Sequence, residues 1–340
     1  MSDEAILVTS AGGHTGSIGR SIVRSLRERN LPVRAFVRTD DQRAHDLREM
    51  GADVFVGDLL NPRDVTRAVQ GARRIYFSMS LNPYYADATI LMAAAAKREG
   101  RCEIFVNMSD VEQSYMTLDN MSLPDAARID ILGADVQWSP QQFVHWAAER
   151  ALDWSGLPVC HIQAAMFVEN PITLWMPAAT IKEDGTIRLP FGEAKTAPVA
   201  TVDVAEVCVA ILANPKNHKN KSYRLTGPVR RNWYEFAEDF SAALGRKITY
   251  VPSTIEDFRS RLRTLAPGLP DHIALHLENL ALQNGGDKYV AEVTEDIERL
   301  LDRPATSLRA VIATEAWRFE QDAPNQLQHR DLKDFKRRRA

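Results

Sequence analysis

Seven residues near the start of the chain, Gly13-His14-Thr15-Gly16-Ser17-Ile18-Gly19, have the types and spacing of a phosphate-binding turn. Glycine lets the backbone turn tightly and approach a diphosphate, and it lets a following helix pack close to the preceding strand. Where a helix opens at such a turn, its free amides and the positive end of its dipole face the phosphates. The expectation is a dinucleotide site at Gly13, His14, Thr15, Gly16, Ser17 and Ile18. At the end of the next apolar run stands Arg38, with no acid before Asp40. A carboxylate there would bond a ribose 2′-hydroxyl, whereas a guanidinium binds a 2′-phosphate through charge-assisted hydrogen bonds. NADP(H) is therefore favoured, while Asp40 and Asp41 leave NAD(H) open. Asp58 and Leu59 are placed to meet an adenine, although the aspartate also suits a turn.

His145 and Glu149 lie one helical turn apart on one face. An imidazole, with an ordinary pKa near ~6.5, can hold a ribose or a substrate and supply a proton around neutrality, with Glu149 orienting it. No tyrosine is followed four residues later by a lysine, so the tyrosine–lysine route to carbonyl reduction lacks its pair. Hydride transfer to a quinone or azo acceptor asks less of the protein, because the acceptor's π-system spreads the charge and orientation supplies most of the rate. Metal chemistry is not expected. His272 and His276 have the spacing of a zinc pair but lack the glutamate of His-Glu-x-x-His, and the other histidines are scattered. Nor is there a Gly-x-Ser-x-Gly elbow for a serine hydrolase. Cys102, Cys160 and Cys208 show no Cys-x-x-Cys spacing, and Cys160 and Cys208, in apolar segments, read as inert buried thiols.

The elements that must hold these residues are legible as alternating patterns. Apolar runs at residues 5–9, 33–38, 52–58, 74–80, 102–109 and 158–167 read as strands. Between them, residues 15–29, 42–50, 62–69, 86–98 and 140–155 have helical periodicity, the third with Asn61-Pro62 as cap and first turn. Such alternation predicts an α/β fold: a Rossmann-type doubly wound parallel sheet with a smaller α+β substrate domain at the C-terminal side. The expected division is 1–164, joined by 195–226, for the nucleotide domain, 165–194 and 227–325 for the smaller one, and 326–340 as a charged tail. Short strands are expected at 186–190, 196–201 and 222–225. Ligands of such sheets gather at the carboxyl ends of the strands. That rule adds Ser78, Met79 and Ser80, then Asn107 and Met108, and finally Ala164, Ala165 and Phe167 to the cofactor site. Tyr84, Tyr115, Trp138 and Trp175 are candidates for an aromatic wall. Residues 110–137 show a weak pattern and read as a lid or a partner surface.

Composition narrows the class. Of 340 residues, 45 % are hydrophobic and 26 % charged, which is globular. Forty-two basic against forty-five acidic residues give a net charge of −3, too balanced to hold nucleic acid. Apolar runs fall short of the ~20 residues of a membrane span. The Met-Ser-Asp-Glu start does not resemble a signal peptide, and with the cysteine usage this points to a cytoplasmic protein. The expected partner is a small hydrophobic acceptor, with no nucleic acid and no membrane; a homodimer stays open.

Taken in order, the pieces resemble the NmrA-like family, atypical members of the extended short-chain dehydrogenase/reductases. The resemblance rests on the glycine turn, Val33-Arg34-Ala35-Phe36-Val37-Arg38, Gly57-Asp58-Leu59, His145-Trp146-Ala147-Ala148-Glu149 and Ser155-Gly156-Leu157-Pro158. It continues through Phe167-Val168-Glu169-Asn170, Val202-Asp203-Val204-Ala205 and Tyr223-Arg224-Leu225-Thr226-Gly227-Pro228. Ser10-Ala11-Gly12 makes a longer join to the turn than the family's usual one. The resemblance implies an NAD(P)-binding domain with a smaller domain closing a cleft over the nicotinamide. It also implies one of two activities: NADPH-dependent reduction of quinones, azo or triphenylmethane dyes, or nucleotide sensing without turnover.

Overall fold

The strands come from short apolar runs, and β1 (Ala5–Val8) and β2 (Val33–Val37) are buried along their whole length, as strands covered on both faces must be. The computed structural model describes residues 4–13, 18–132, 138–286, 292–321 and 323. Between and after these two strands come α1 (Ile18–Glu28), α2 (Gln42–Glu49), β3 (Asp53–Val56), α3 (Pro62–Val69), β4 (Ala72–Phe77), α4 (Tyr85–Glu99) and β5 (Ile104–Asp110). A 3-10 turn, Val111–Ser114, then leads into two short helices, α5 (Leu118–Met121) and α6 (Asp125–Leu132). Alternation resumes with α7 (Pro140–Ser155), β6 (Val159–Ala164), α8 (Met176–Asp184), β7 (Thr186–Ile187), α9 (Thr201–Ala213) and β8 (Lys221–Leu225). The remaining elements are α10 (Trp233–Leu244), β9 (Thr249–Tyr250), α11 (Ile255–Leu265), α12 (Asp271–Asn284), α13 (Asp296–Leu301) and α14 (Leu308–Thr314).

Seven strands form one sheet in the order β3-β2-β1-β4-β5-β6-β8, every pairing parallel. The winding reverses between β1 and β4, so a crevice opens there at the carboxyl ends. On one face the apolar stripe of α1 (Ile22, Val23, Leu26) and that of α9 cover Ile6, Val8 and Val106. On the other, α3, α4 and α7 cover Leu7, Phe77 and Phe105. A third core, from Met166 to Phe319, gathers α8, α10, α11, α12 and α14 beside the sheet. No helix among the described residues is long and apolar enough to cross a membrane.

Local chemistry sets the ends of the helices that matter for the site. Asn61 accepts from the amides of Arg63 and Asp64 ahead of Pro62, so α3 starts where its cap and proline dictate. Ser139 and Gln142 form a reciprocal capping box at the start of α7, and Gly156 ends that helix at φ 72°, a conformation that costs other residues a Cβ clash.

Two expectations about strands fail. β6 ends at Ala164 and not at Phe167, and residues 196–201 hold no strand. After Ala164 the chain turns out of the sheet and keeps only a bridge, Phe167 with Val199, while Thr196 bridges Arg231 in the opposite sense. Thr201 opens α9 instead. An apolar run therefore persisted beyond the sheet because the third core continues its burial.

Candidate functional site

The carboxyl ends of β1, β4, β5 and β6 meet α12 across a cleft with about 1260 Å³ of empty space, open solvent at its mouth included. Its floor is tied by hydroxyls. Thr9 Oγ1 and Ser10 Oγ both donate to the carbonyl of Ser78, at 2.7 and 2.8 Å, joining the ends of β1 and β4. Gly13, Ile18, Ser78, Met79, Ser80, Met108, His145, Ala164, Ala165 and Phe167 line it, so these expected residues are brought together. His14, Thr15, Gly16 and Ser17 lie outside the described residues.

His145 projects from the second turn of α7, where its Nδ1 sits 2.8 Å from Asp110 Oδ2 at the end of β5. The expected orienting residue, Glu149, is not the partner. Its carboxylate is fully buried and accepts from Gln163 Nε2 on β6 at 3.1 Å and from Arg150. Sharing a helix face brought Glu149 near His145, but the strand beneath α7 offered it a donor, and its charge reaches the imidazole only as a field favouring the protonated form. Burial pushes the Asp110 carboxyl up to about 7, against hydrogen bonds from Glu112 and Gln113. The same burial holds His145 down to about 4, so the imidazole is neutral at pH 7. His145 Nε2 has no hydrogen-bond partner among the described residues. The ring of Tyr85 lies 4.3 Å from the imidazole by centroids, fixed by its hydroxyl donating to the carbonyl of Met108.

A buried polar chain runs from this pair to α12. Gln113 Nε2 donates to Asp110 Oδ1 at 2.7 Å and to the carbonyl of Gln142 at 3.1 Å. Gln142 Nε2 donates to Gln283 at 2.8 Å. Ser139 Oγ accepts from the Gln142 amide and shares a hydrogen bond with His276 Nδ1, 2.8 Å away. Burial holds the His276 pKa down to about 3, so the ring is neutral. His272 donates to Gln141 Oε1 at 2.7 Å. The zinc-spaced histidines thus dock α12 onto the first turn of α7, and no group of metal-ligating side chains forms among the described residues.

Several expected residues stand elsewhere. Asn107 points to the opposite face of β5, where its amide donates to His161 Nδ1 at 3.1 Å; alternation along the strand turns Met108 into the cleft and Asn107 away. Asp58 accepts from the amide of Leu60 in a turn, with Leu59 half-buried against the α3–α4 core. Arg38 is exposed at the end of β2, outside the cleft wall. Tyr84, Tyr115, Trp138 and Trp175 do not form the aromatic wall; Trp175 is buried in the third core, and Tyr76, Tyr85 and Phe167 face the cleft. Residues 111–114, within the expected lid, instead contribute buried Glu112 and Gln113 to the site. Sequence reasoning missed Asp110, which follows the end assigned to the fifth strand by one residue. It also missed Arg43, whose guanidinium pairs with Asp41 and donates to the carbonyl of Gly12 at 3.2 Å.

The close packing of α1 at the head of the cleft fits a dinucleotide. A Cβ on Gly19 would stand 2.6 Å from the carbonyl oxygen of Ser10, so glycine alone lets α1 approach the end of β1 this closely. No acid occupies the first turn of α1, which leaves the positive end of its dipole available to an anion.

A family model described as NAD(P)H-binding matches residues 13–215. An NAD(P)H azoreductase of Xenophilus azovorans is 30 % identical over 295 residues, 86 % of this chain and 92 % of that protein. Among solved structures, the triphenylmethane reductase of Citrobacter sp. in complex with NADP(H) superposes with a TM-score of 0.72 at 20 % identity, covering 92 % of this chain and 100 % of that one. NmrA, a negative transcriptional regulator, gives 0.67 at 17 % identity over 97 % of this chain and 98 % of its own. Glycine turn, parallel sheet and relatives agree, and the chain belongs to the NAD(P)H-binding family, as its resemblance to NmrA-like proteins implied.

Proposed function

We propose that the protein is a reductase that moves hydride from NAD(P)H, with NADPH favoured, to a hydrophobic, planar acceptor such as a quinone or an azo compound. One observation carries this reading: a single cleft joins Gly13 and the start of α1 to an apolar wall of Met79, Met108, Met166, Phe167, Leu277 and Leu280 into which an imidazole projects. The names of the azoreductase relative and of the dye reductase with the same fold support an acceptor of this kind. When bound, the reduced nicotinamide supplies the hydride. Gly13 and the opening amides of α1 would hold its diphosphate, and the small side chains of Ala164 and Ala165 leave room for a flat ring. His145 holds or moves a proton at Nε2. Hydride transfer then depends on orientation within a wall that excludes water.

Preference for the 2′-phosphate is supported by the state of the competing acids. Asp41 is engaged by Arg43 and by the first turn of α2, and Asp40 by Arg48 at 2.7 Å. Both carboxylates are thus already paired with guanidinium groups, and Arg38 stands exposed at the end of β2. A catalytically silent NADP(H) sensor that binds a protein partner is the second reading, favoured by the shared fold of the regulator NmrA. Mixing the protein with NADPH and a panel of quinones, azo dyes and carbonyls, with absorbance followed at the reduced-nicotinamide band, separates the two. Turnover supports the reductase; tight NADP⁺ binding with no oxidation of NADPH by any acceptor supports the sensor.

A further inference from the structure

We propose that Asp110 and Glu112 form a buried proton reservoir that His145 discharges into the cleft, so that the site itself supplies the proton that must follow a hydride. This rests on the reductase reading above. The geometry is a line of three groups. Glu112, 2 % exposed and lining the cleft, hydrogen-bonds the side chain of Asp110. Asp110 uses Oδ1 to accept from Gln113 and Oδ2 to meet His145 Nδ1. His145 lines the cleft, and its Nε2 has no partner among the described residues.

Which proton sits on Nε2 follows from Asp110. A protonated Asp110 donates to Nδ1, and the neutral imidazole carries its hydrogen on Nε2, as a donor. Once ionised, Asp110 accepts from Nδ1–H, and Nε2 becomes a lone pair. The other groups facing the imidazole are Glu149 on its own helix, Tyr85 from α4, and His272 and His276 from α12. Glu149 and Glu112 favour a proton on His145, whereas burial and the α12 imidazoles oppose a second charge there.

The step balances. The acceptor's double bond gains hydride at one atom, with the reduced nicotinamide oxidised in exchange, and the bond's electron pair moves to the far atom. That atom takes the proton from His145 Nε2, while Nδ1 takes the proton of Asp110. Asp110 is left as carboxylate and regains a proton from water after product leaves.

The test has a readout that needs no turnover. In protein labelled with ¹⁵N-histidine and free of nucleotide, the His145 nitrogens should exchange roles, from Nε2–H to Nδ1–H, as pH rises through about 7. In Asp110→Asn the Nε2–H form should persist across that range. In steady state, kcat should fall as pH rises through the same region and drop about twofold or more in deuterium oxide. Asp110→Asn should abolish that pH dependence and lower kcat by roughly 10²-fold or more, the scale of a lost general acid, with NADPH affinity kept. An ordinary imidazole titration indifferent to residue 110, or a pH-independent kcat in the unaltered protein, overturns the reservoir. Absence of any acceptor-dependent NADPH oxidation overturns the reductase reading, and proton delivery with it; the nitrogen signals then show whether the Asp110–His145 switch itself exists.

Discussion

Replacing Gly19 with alanine isolates the close approach on which the nucleotide seat depends. The added methyl would lie 2.6 Å from the Ser10 carbonyl oxygen, 2.8 Å from its carbon and 3.0 Å from the Ala11 nitrogen, all backbone atoms. Ser10 is poorly placed to yield. Its φ is 52°, its hydroxyl is bound to the Ser78 carbonyl, and its own carbonyl accepts from the Gly13 amide at 3.1 Å. Forcing a methyl into such a contact costs about 1–3 kcal/mol, set against roughly 1 kcal/mol gained when alanine replaces glycine within a helix. The clash outweighs the gain over most of that range, for a net loss of up to about 2 kcal/mol. Because α1 must move to relieve it, the amides that face the diphosphate move as well, and NADPH affinity should fall about tenfold or more, each factor of ten being about 1.4 kcal/mol. Urea denaturation and a fluorescence titration with NADPH measure the two effects. Gly12→Ala is the control: among the described residues its Cβ would meet only Val37 Cγ1, at an ordinary 3.7 Å, and stability should change by less than about 0.5 kcal/mol. A Gly19→Ala protein as stable and as tight-binding as the original would refute the argument that packing of α1 on Ser10 sets the site.

Arg38→Glu and Arg43→Ala should each weaken NADPH roughly tenfold or more relative to NADH, the scale of a charge-assisted hydrogen bond to phosphate; equal losses for both coenzymes would place the 2′-phosphate elsewhere. Asp203 is fully buried and accepts from Arg303 at 2.7 Å and from the amide and hydroxyl of Thr306 at 2.6 and 2.7 Å. Asp203→Ala should therefore cost about 3 kcal/mol, because it strands these donors between α9 and the segment before α14; a denaturation midpoint within error of the original would contradict that. Burial pushes the Cys102 and Cys160 thiols up to about 12 and Cys208 higher still. All three should resist a disulfide reagent at pH 8 in the folded protein and react once it is unfolded, and rapid reaction of folded Cys160 or Cys208 would speak against their burial.

Local pattern carried much of this protein. A buried strand between two helical faces has to be a continuous apolar run, so Ala5–Val8 and Val33–Val37 announced themselves, and the alternation announced a parallel sheet. The glycine turn was legible for the same reason: its chemistry is backbone chemistry, set by residues adjacent in the chain. Strand ends also located the crevice, because every parallel strand delivers its last residues to one edge. Direction of side chains was another matter. Asn107 and Met108 are neighbours at one strand end, and Tyr84 and Tyr85 at one helix start, yet one of each pair faces the cleft. The partner of His145 was settled by packing: Glu149 is four residues away on the same helix, but Asp110, 35 residues back, is the one that meets its nitrogen. His276 reaches the same cleft through Ser139, 137 residues before it. Periodicity along a chain tells which face of an element is buried; only the assembled sheet, with α7 and α12 laid across its edge, decided which buried groups would share a proton.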